Sequence, residues 1–125
     1  MKLVTDPCQF DVLVAPNLYG DIISDLCAGL VGGLGFAPSA NIGENVTIYE
    51  AVHGSAPDIA GKDQANPTAL LLSYAMLLKD HGMAEAAGRL ENAIYSVVKQ
   101  GVATTCDIGG TAGTKAFTKA VKEKL

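Results

Sequence analysis

Residues 17–36 read Asn17-Leu-Tyr-Gly-Asp-Ile-Ile-Ser-Asp-Leu-Cys-Ala-Gly-Leu-Val-Gly-Gly-Leu-Gly-Phe36 and carry the strongest structural signal in the chain. Apolar side chains recur at helical spacing over 21–30, which predicts a helix there after a turn at 17–20. The glycines that follow predict that this helix ends in a flexible or tightly packed connection.

Two carboxylates, Asp21 and Asp25, are four residues apart in the predicted helix, so their side chains share one face. Like charges at this spacing cost an isolated helix about 0.2 to 0.5 kcal/mol, and no lysine or arginine within a turn offsets the cost. A hard divalent cation such as Mg²⁺ would resolve the conflict, because it binds one or two carboxylates together with water and substrate oxygens. The alternative is two solvated acids, which the spacing by itself favours.

The composition limits the classes of function. The chain has 125 residues, of which 49% are hydrophobic and 18% charged, as in a single globular unit rather than a disordered or fibrous protein. Its net charge of -4 gives no broad basic surface, which argues against nucleic acid and anionic membrane as main partners. The apolar stretches are too short to cross a bilayer. Three widely spaced cysteines indicate neither a disulfide framework nor a zinc site.

The charges are unevenly distributed along the chain. No lysine or arginine lies between Lys2 and Lys62, although that stretch contains seven acidic residues. This asymmetry suggests that the first half faces a cation or a basic surface that the chain does not itself contain. A solvated acidic face is the alternative.

The remaining pattern contains two short strands and three helices. Short β-branched runs predict strands at 10–15 and 46–50, and periodic segments predict helices at 67–81, 83–100 and 114–124. Asn66 is a good cap for the first of these helices, whose largely apolar surface predicts burial. His81 stands where that helix should end, and we expect its ring to bond the last carbonyls rather than to take part in chemistry.

The loop 51–61 is the least regular segment and a natural place for a site. It offers glycines for close backbone approach, a hydroxyl at Ser55 and an acid at Asp58, with Asn66 beyond it. These features suit a nucleotide, but they match no known phosphate-binding pattern. The chemistry alone favours a structural loop over a cofactor site.

Residues 17–36 closely resemble the signature of the β-decarboxylating dehydrogenases, the family of isocitrate and isopropylmalate dehydrogenases. Residues 53–62, His-Gly-Ser-Ala-Pro-Asp-Ile-Ala-Gly-Lys, together with Asn66-Pro67, are similar to the cofactor loop of that family. The resemblance continues through Thr105-Cys-Asp-Ile-Gly-Gly110 to Phe117, and so it covers nearly the whole chain.

The resemblance implies an α/β fold that is the carboxy-terminal portion of the two-domain isocitrate/isopropylmalate dehydrogenase fold, not a Rossmann fold. Residues 1–34 would end the smaller, dimer-forming domain, and residues 35–125 would belong to the large cofactor-binding domain. The enzymes of this family are much longer, and their substrate arginines and proton-transfer groups would precede Met1. We therefore expect a fragment that does not turn over substrate alone.

The implied activity is an NAD-dependent oxidative decarboxylation of a 2-hydroxy acid with Mg²⁺ or Mn²⁺. By resemblance, Asp21 and Asp25 match the metal carboxylates. The positions that match cofactor-binding residues are Glu50, His53, Gly54, Ser55, Ala56, Asp58, Ile59, Asn66 and Asp107. A carboxylate at Asp58 accepts hydrogen bonds from ribose hydroxyls and repels a 2′-phosphate, so NAD is preferred to NADP.

Within the family, Asn41-Ile-Gly43 and residues 50–53 and 69–73 look more like the NAD-dependent isocitrate branch, whereas Ser55 is more usual in the isopropylmalate branch. Isocitrate and the tricarboxylic acid cycle are therefore favoured. The alternatives are isopropylmalate dehydrogenase of leucine biosynthesis and a non-catalytic nucleotide-binding or regulatory subunit. The resemblance also implies a homo- or hetero-oligomer formed through the Asp21 helix, in the mitochondrial matrix of a eukaryote or the cytoplasm of a bacterium.

Overall fold

The computed structural model describes residues 1–30 and 32–125 as a mixed α/β chain. The helices are α1 (Lys2–Thr5), α2 (Asn17–Leu30), α3 (Thr68–Asp80), α4 (Ala84–Gln100) and α5 (Thr114–Lys122). The strands are β1 (Pro38–Ile42) and β2 (Thr47–Ala51). Short 3₁₀ turns lie at Pro7–Gln9, Leu34–Phe36 and Cys106–Ile108.

The hydrophobic core lies between α3, α4 and α5. Each helix turns one apolar face inward, and Ile94, Val97 and Phe117 have almost no solvent exposure. Burying side chains of this size stabilises a fold by about 1.5 to 3 kcal/mol each. The core therefore holds together the carboxy-terminal half of the chain, including α5.

The two strands form an antiparallel hairpin that packs on α3, with Ser39 opposite Glu50. The buried Ser73 hydroxyl of α3 accepts the Ser39 N–H at 3.3 Å and lies 2.7 Å from the Glu50 carbonyl. At the far end of α3, Tyr49 donates a hydrogen bond to Asp80. This bond raises the pKa of Tyr49, with further contributions from desolvation and the Asp80 charge. The hairpin is thus fastened to α3 at two points.

The helix predictions for the second half of the chain are confirmed to within two residues at each end. His81 also has the expected role, because its Nδ1 lies 2.9 Å from the Leu77 carbonyl at the end of α3. The strand predicted at 46–50 is β2, displaced by one residue. These elements follow from local pattern and caps.

Three local predictions are wrong. Residues 10–15 form no strand, because within the described residues no strand pairs with them, and Val14 is 95% exposed. The turn at 17–20 is the first turn of α2, which places Asp21 in the second turn. The apolar surface of α3 is only partly buried, since Leu70 and Tyr74 are exposed. The first and third errors concern pairing and burial between segments, which local patterns do not reveal.

The amino-terminal region makes few contacts with the rest. Of the described residues in α2, only Ala28 is buried, and the helix meets the fold mainly through the 3₁₀ turn at Leu34–Phe36. The domain boundary between 34 and 35 stays a prediction. None of the helices in the described residues is long and apolar enough to cross a membrane.

Candidate functional site

A cleft of about 950 Å³ lies beside the loop that follows β2. Four parts of the chain form its walls: residues 34–35, most of the loop between 53 and 66 (53–56, 59–61 and 63–66), residues 106–107 and residues 114–115. Small-molecule and cofactor sites have volumes of about 300 to 1,000 Å³. The cleft is therefore large enough to hold a nucleotide.

Seven of the nine residues predicted to bind cofactor lie in the walls of this cleft. They are His53, Gly54, Ser55, Ala56, Ile59, Asn66 and Asp107. Asp107 is far from the others in sequence, so only the fold brings it to them. Most of the residues predicted to bind cofactor therefore lie close together in the structure.

Asn66 is the most firmly held polar group in the cleft. Its Nδ2 donates to Asp107 Oδ2 at 2.8 Å, and its Oδ1 accepts the backbone N–H of Thr68 at 3.0 Å. The second bond caps the start of α3, as expected for asparagine at this place. Because the two ends of the amide have different partners, the orientation of the side chain is fixed.

Gly35 lies directly against the Asn66–Asp107 pair. A methyl group on Gly35 would lie 3.1 Å from Asp107 Oδ2 and 3.4 Å from Asn66 Cβ, closer than ordinary contacts. The backbone of the 3₁₀ turn can approach the pair only because position 35 has no side chain. The glycine-rich connection after α2 therefore forms part of the cleft wall.

A second link across the cleft joins the loop 61–66 to the start of α5. The Asp63 carbonyl accepts the Thr114 N–H at 3.1 Å, and Asp63 Oδ1 accepts the Lys115 N–H at 2.9 Å. Thr114 also donates its hydroxyl to the Ala65 carbonyl. These bonds connect segments about fifty residues apart in the sequence.

The other two predicted cofactor residues lie outside the cleft walls. Glu50 is on β2, where its side chain accepts a hydrogen bond from Asn41 Nδ2 at 2.6 Å. Asp58 is exposed on the loop itself. Their assignment to the cofactor site, and the preference for NAD that rests on Asp58, stay predictions.

Asp21 and Asp25 lie on α2 and are both exposed. Neither forms an ion pair with any residue in the described ranges. Two carboxylates on one helix face suit a hard cation that completes its shell with water and substrate oxygens. Among residues 1–30 and 32–125, no group of three candidate ligands comes together, so this chain would supply only part of such a site.

Sequence reasoning missed Gly35, Asp63, Thr114 and Lys115 as parts of the cleft. Gly35 belongs to a recognisable glycine cluster, which was a usable signal. No sequence pattern indicated Asp63, Thr114 or Lys115, because their role depends on a contact between the loop and α5. Such contacts are a property of the fold and not of any local pattern.

A model of the isocitrate/isopropylmalate dehydrogenase family matches residues 1–124. The chain belongs to this family. It is 59% identical to the mitochondrial isocitrate dehydrogenase [NAD] subunit alpha of Macaca fascicularis, covering 100% of the chain and 36% of that protein. It is 60% identical to the mitochondrial isocitrate dehydrogenase [NAD] catalytic subunit 5 of Arabidopsis thaliana, covering 100% of the chain and 34% of that protein. This family member thus spans about a third of the length of the curated relatives it matches.

The fold of the chain is also similar to solved structures of this family. An isocitrate dehydrogenase from Methylococcus capsulatus matches with a TM-score of 0.90 and 48% identity, over 98% of this chain and 37% of that one. A β-decarboxylating dehydrogenase from Thermococcus kodakarensis matches with a TM-score of 0.83 and 41% identity, over 98% of this chain and 36% of that one. The α/β fold is therefore that of a part of the family's enzymes, as the sequence predicted.

Proposed function

We propose that this chain is part of an NAD-dependent isocitrate dehydrogenase, which converts isocitrate to 2-oxoglutarate by oxidative decarboxylation. The observation that carries the proposal is the convergence of seven predicted cofactor residues on one cleft of about 950 Å³. The names of the Macaca and Arabidopsis relatives, which specify isocitrate dehydrogenase and NAD, support the same activity.

The cleft residues would bind the dinucleotide and orient it. Asn66 and Asp107 form a fixed polar pair, and the loop 53–56 brings backbone groups to the opposite wall. His53 donates from Nδ1 to the Gly54 carbonyl over 2.9 Å, which holds the ring close to its own backbone. With NAD held by these residues, the cleft would supply the hydride acceptor for oxidation of the substrate. The protein groups around it supply position rather than acid or base.

Asp21 and Asp25 would hold Mg²⁺ or Mn²⁺. They fit because both are carboxylates, both are exposed, and no described cation competes for them. When bound, the ion supplies Lewis-acid chemistry to the substrate carbonyl. Because these two acids form an incomplete ligand set, we propose that further ligands come from other parts of the enzyme and that the 125 residues alone do not turn over isocitrate.

The relatives that are named as subunits support an assembly of several chains. We propose that α2 is the contact helix, since its Leu18, Ile22 and Leu30 are exposed and only Ala28 of its described residues is buried. Large exposed apolar patches mark interaction sites. The same relatives are mitochondrial, and we propose the mitochondrial matrix for a eukaryotic source.

An exchange experiment tests the function. The segment of the Methylococcus capsulatus isocitrate dehydrogenase that matches this chain is replaced by residues 1–125, and reduction of NAD and NADP is followed with isocitrate or isopropylmalate plus Mg²⁺. We expect the chimera to oxidise isocitrate and to prefer NAD, because it carries the Asp58 loop, whereas the choice of substrate stays that of the parent enzyme. The isolated chain should form no NADH.

A chimera that assembles like its parent but oxidises neither substrate would contradict a catalytic role and favour a regulatory subunit. Turnover by the isolated chain would refute the proposed need for other parts of the enzyme. The unexchanged parent enzyme is the control for assembly and assay.

A further inference from the structure

We propose that Asp63 is a positioning residue for the dinucleotide site, acting by holding the cleft-lining loop 61–66 against the first turn of α5. This inference rests on the proposed function. Asp63 does not need to touch the dinucleotide. It acts through the two wall segments that it joins.

The contacts of Asp63 are those of a helix cap supplied from a distant part of the chain. A helix leaves its first N–H groups without intrahelical partners. Here the Thr114 N–H bonds the Asp63 carbonyl and the Lys115 N–H bonds its carboxylate, at 3.1 and 2.9 Å. A carboxylate is also the favourable charge at a helix amino terminus. The cap therefore stabilises α5 and the loop together.

The close fit at Gly113 shows how tightly the two segments meet. A methyl group at this position would overlap both the Asp63 carboxylate and the Asp63 carbonyl. The backbone of Gly113 has an ordinary φ of -83°, which other residues also adopt. Glycine is therefore needed at this position for the close contact with Asp63 and not for the backbone conformation. The two segments are in direct backbone contact.

The backbone of Asp63 also indicates that the contact is maintained. Its φ is 56°, in the left-handed region that residues other than glycine seldom adopt. Aspartate and asparagine tolerate this region better than other residues with a side chain. A residue stays in such a conformation when surrounding contacts hold it there, and the bonds to α5 are those contacts.

Both partners of this link belong to the cleft. Asp63, Gln64 and Ala65 line it on one side, and Thr114 and Lys115 on another. Loss of the carboxylate would remove one of the three hydrogen bonds that join the loop to α5, so the loop would be held less firmly and more of it would have to be ordered when the dinucleotide binds. Ordering a free loop on binding reduces affinity.

The test compares Asp63→Gly with Asp63→Asn in the active enzyme that carries this chain. Glycine accepts the positive φ and keeps the carbonyl bond to Thr114 but removes the carboxylate bond to Lys115. KM for NAD should therefore rise about tenfold, by more than any fall in kcat, with KM for isocitrate little affected. Asparagine keeps an acceptor for the Lys115 N–H and tolerates the backbone, and it should restore KM to within about twofold. Gly113→Ala should raise KM for NAD as Asp63→Gly does.

Hydrogen exchange of the Lys115 amide is a second measurement. The exchange rate should increase in Asp63→Gly and stay unchanged in Asp63→Asn. A fall in kcat with KM for NAD unchanged would mean that Asp63 is only structural and would overturn the inference. The inference would also be overturned if Asp63→Asn raised KM for NAD as much as Asp63→Gly does. It would fail too if hydrogen exchange of the Lys115 amide were unchanged in Asp63→Gly. If the unmodified enzyme shows no NAD-dependent activity at all, the proposed function fails instead, so the two failures are distinguishable.

Discussion

Replacing Phe117 with alanine is expected to destabilise the protein by about 3 to 5 kcal/mol. Phe117 is fully buried where α5 packs against the core that α3 and α4 form. Alanine loses the hydrophobic contribution of the ring and leaves a cavity that the surrounding helices fill only in part. Chemical denaturation followed by circular dichroism measures the loss as a lower midpoint.

Phe117→Leu is the matched control, because leucine keeps an apolar side chain of moderate size in the same place. It should cost clearly less than alanine. Thr114 and Lys115 of the cleft wall lie on the same helix, so the alanine variant should also lose dinucleotide affinity. A destabilisation below about 1 kcal/mol for Phe117→Ala would contradict the described core.

Asp25→Asn is expected to lower kcat for isocitrate at least about 100-fold in the enzyme that carries this chain. The amide removes one of the two charges proposed to hold the divalent cation, whose Lewis-acid contribution is several kcal/mol of barrier lowering. Glu44→Gln removes an acid that the proposal gives no role and should leave kcat unchanged. Steady-state rates over a Mg²⁺ titration measure both variants.

The Mg²⁺ titration separates a metal role from a folding defect. A weakened site should require more Mg²⁺ for half-maximal rate, whereas a misfolded fraction lowers the rate equally at all Mg²⁺ concentrations. Asp25 is exposed, so a large loss of stability is not expected. Wild-type kcat and wild-type Mg²⁺ dependence in Asp25→Asn would exclude the proposed metal site.

The sequence predicted the helical half of the fold well because its signals are local. Asn66 caps α3, glycines follow α3 and α4, and apolar periodicity defines the buried faces of α4 and α5. Seven of the nine proposed cofactor residues lie together because most of them belong to one continuous loop. The resemblance to a family added Asp107, which no local pattern linked to that loop.

The errors have a common physical origin in pairing and packing between distant segments. Residues 10–15 have the composition of a buried strand, but a strand forms only where a neighbour offers hydrogen bonds. By contrast, β1 has the sequence Pro-Ser-Ala-Asn-Ile, which is a weak strand pattern, but it forms a strand because it pairs with β2. The Asp63 link was missed for the same reason, since it joins the loop to a helix 52 positions further on.

The most direct test of the central claim is a crystal structure of the enzyme that carries this chain, grown with NAD. The dinucleotide is expected to lie in the cleft between the loop 53–66 and the turn at Cys106–Ile108, next to the Asn66–Asp107 pair. NAD bound elsewhere, with this cleft empty, would contradict the assignment of the cofactor site and the function built on it.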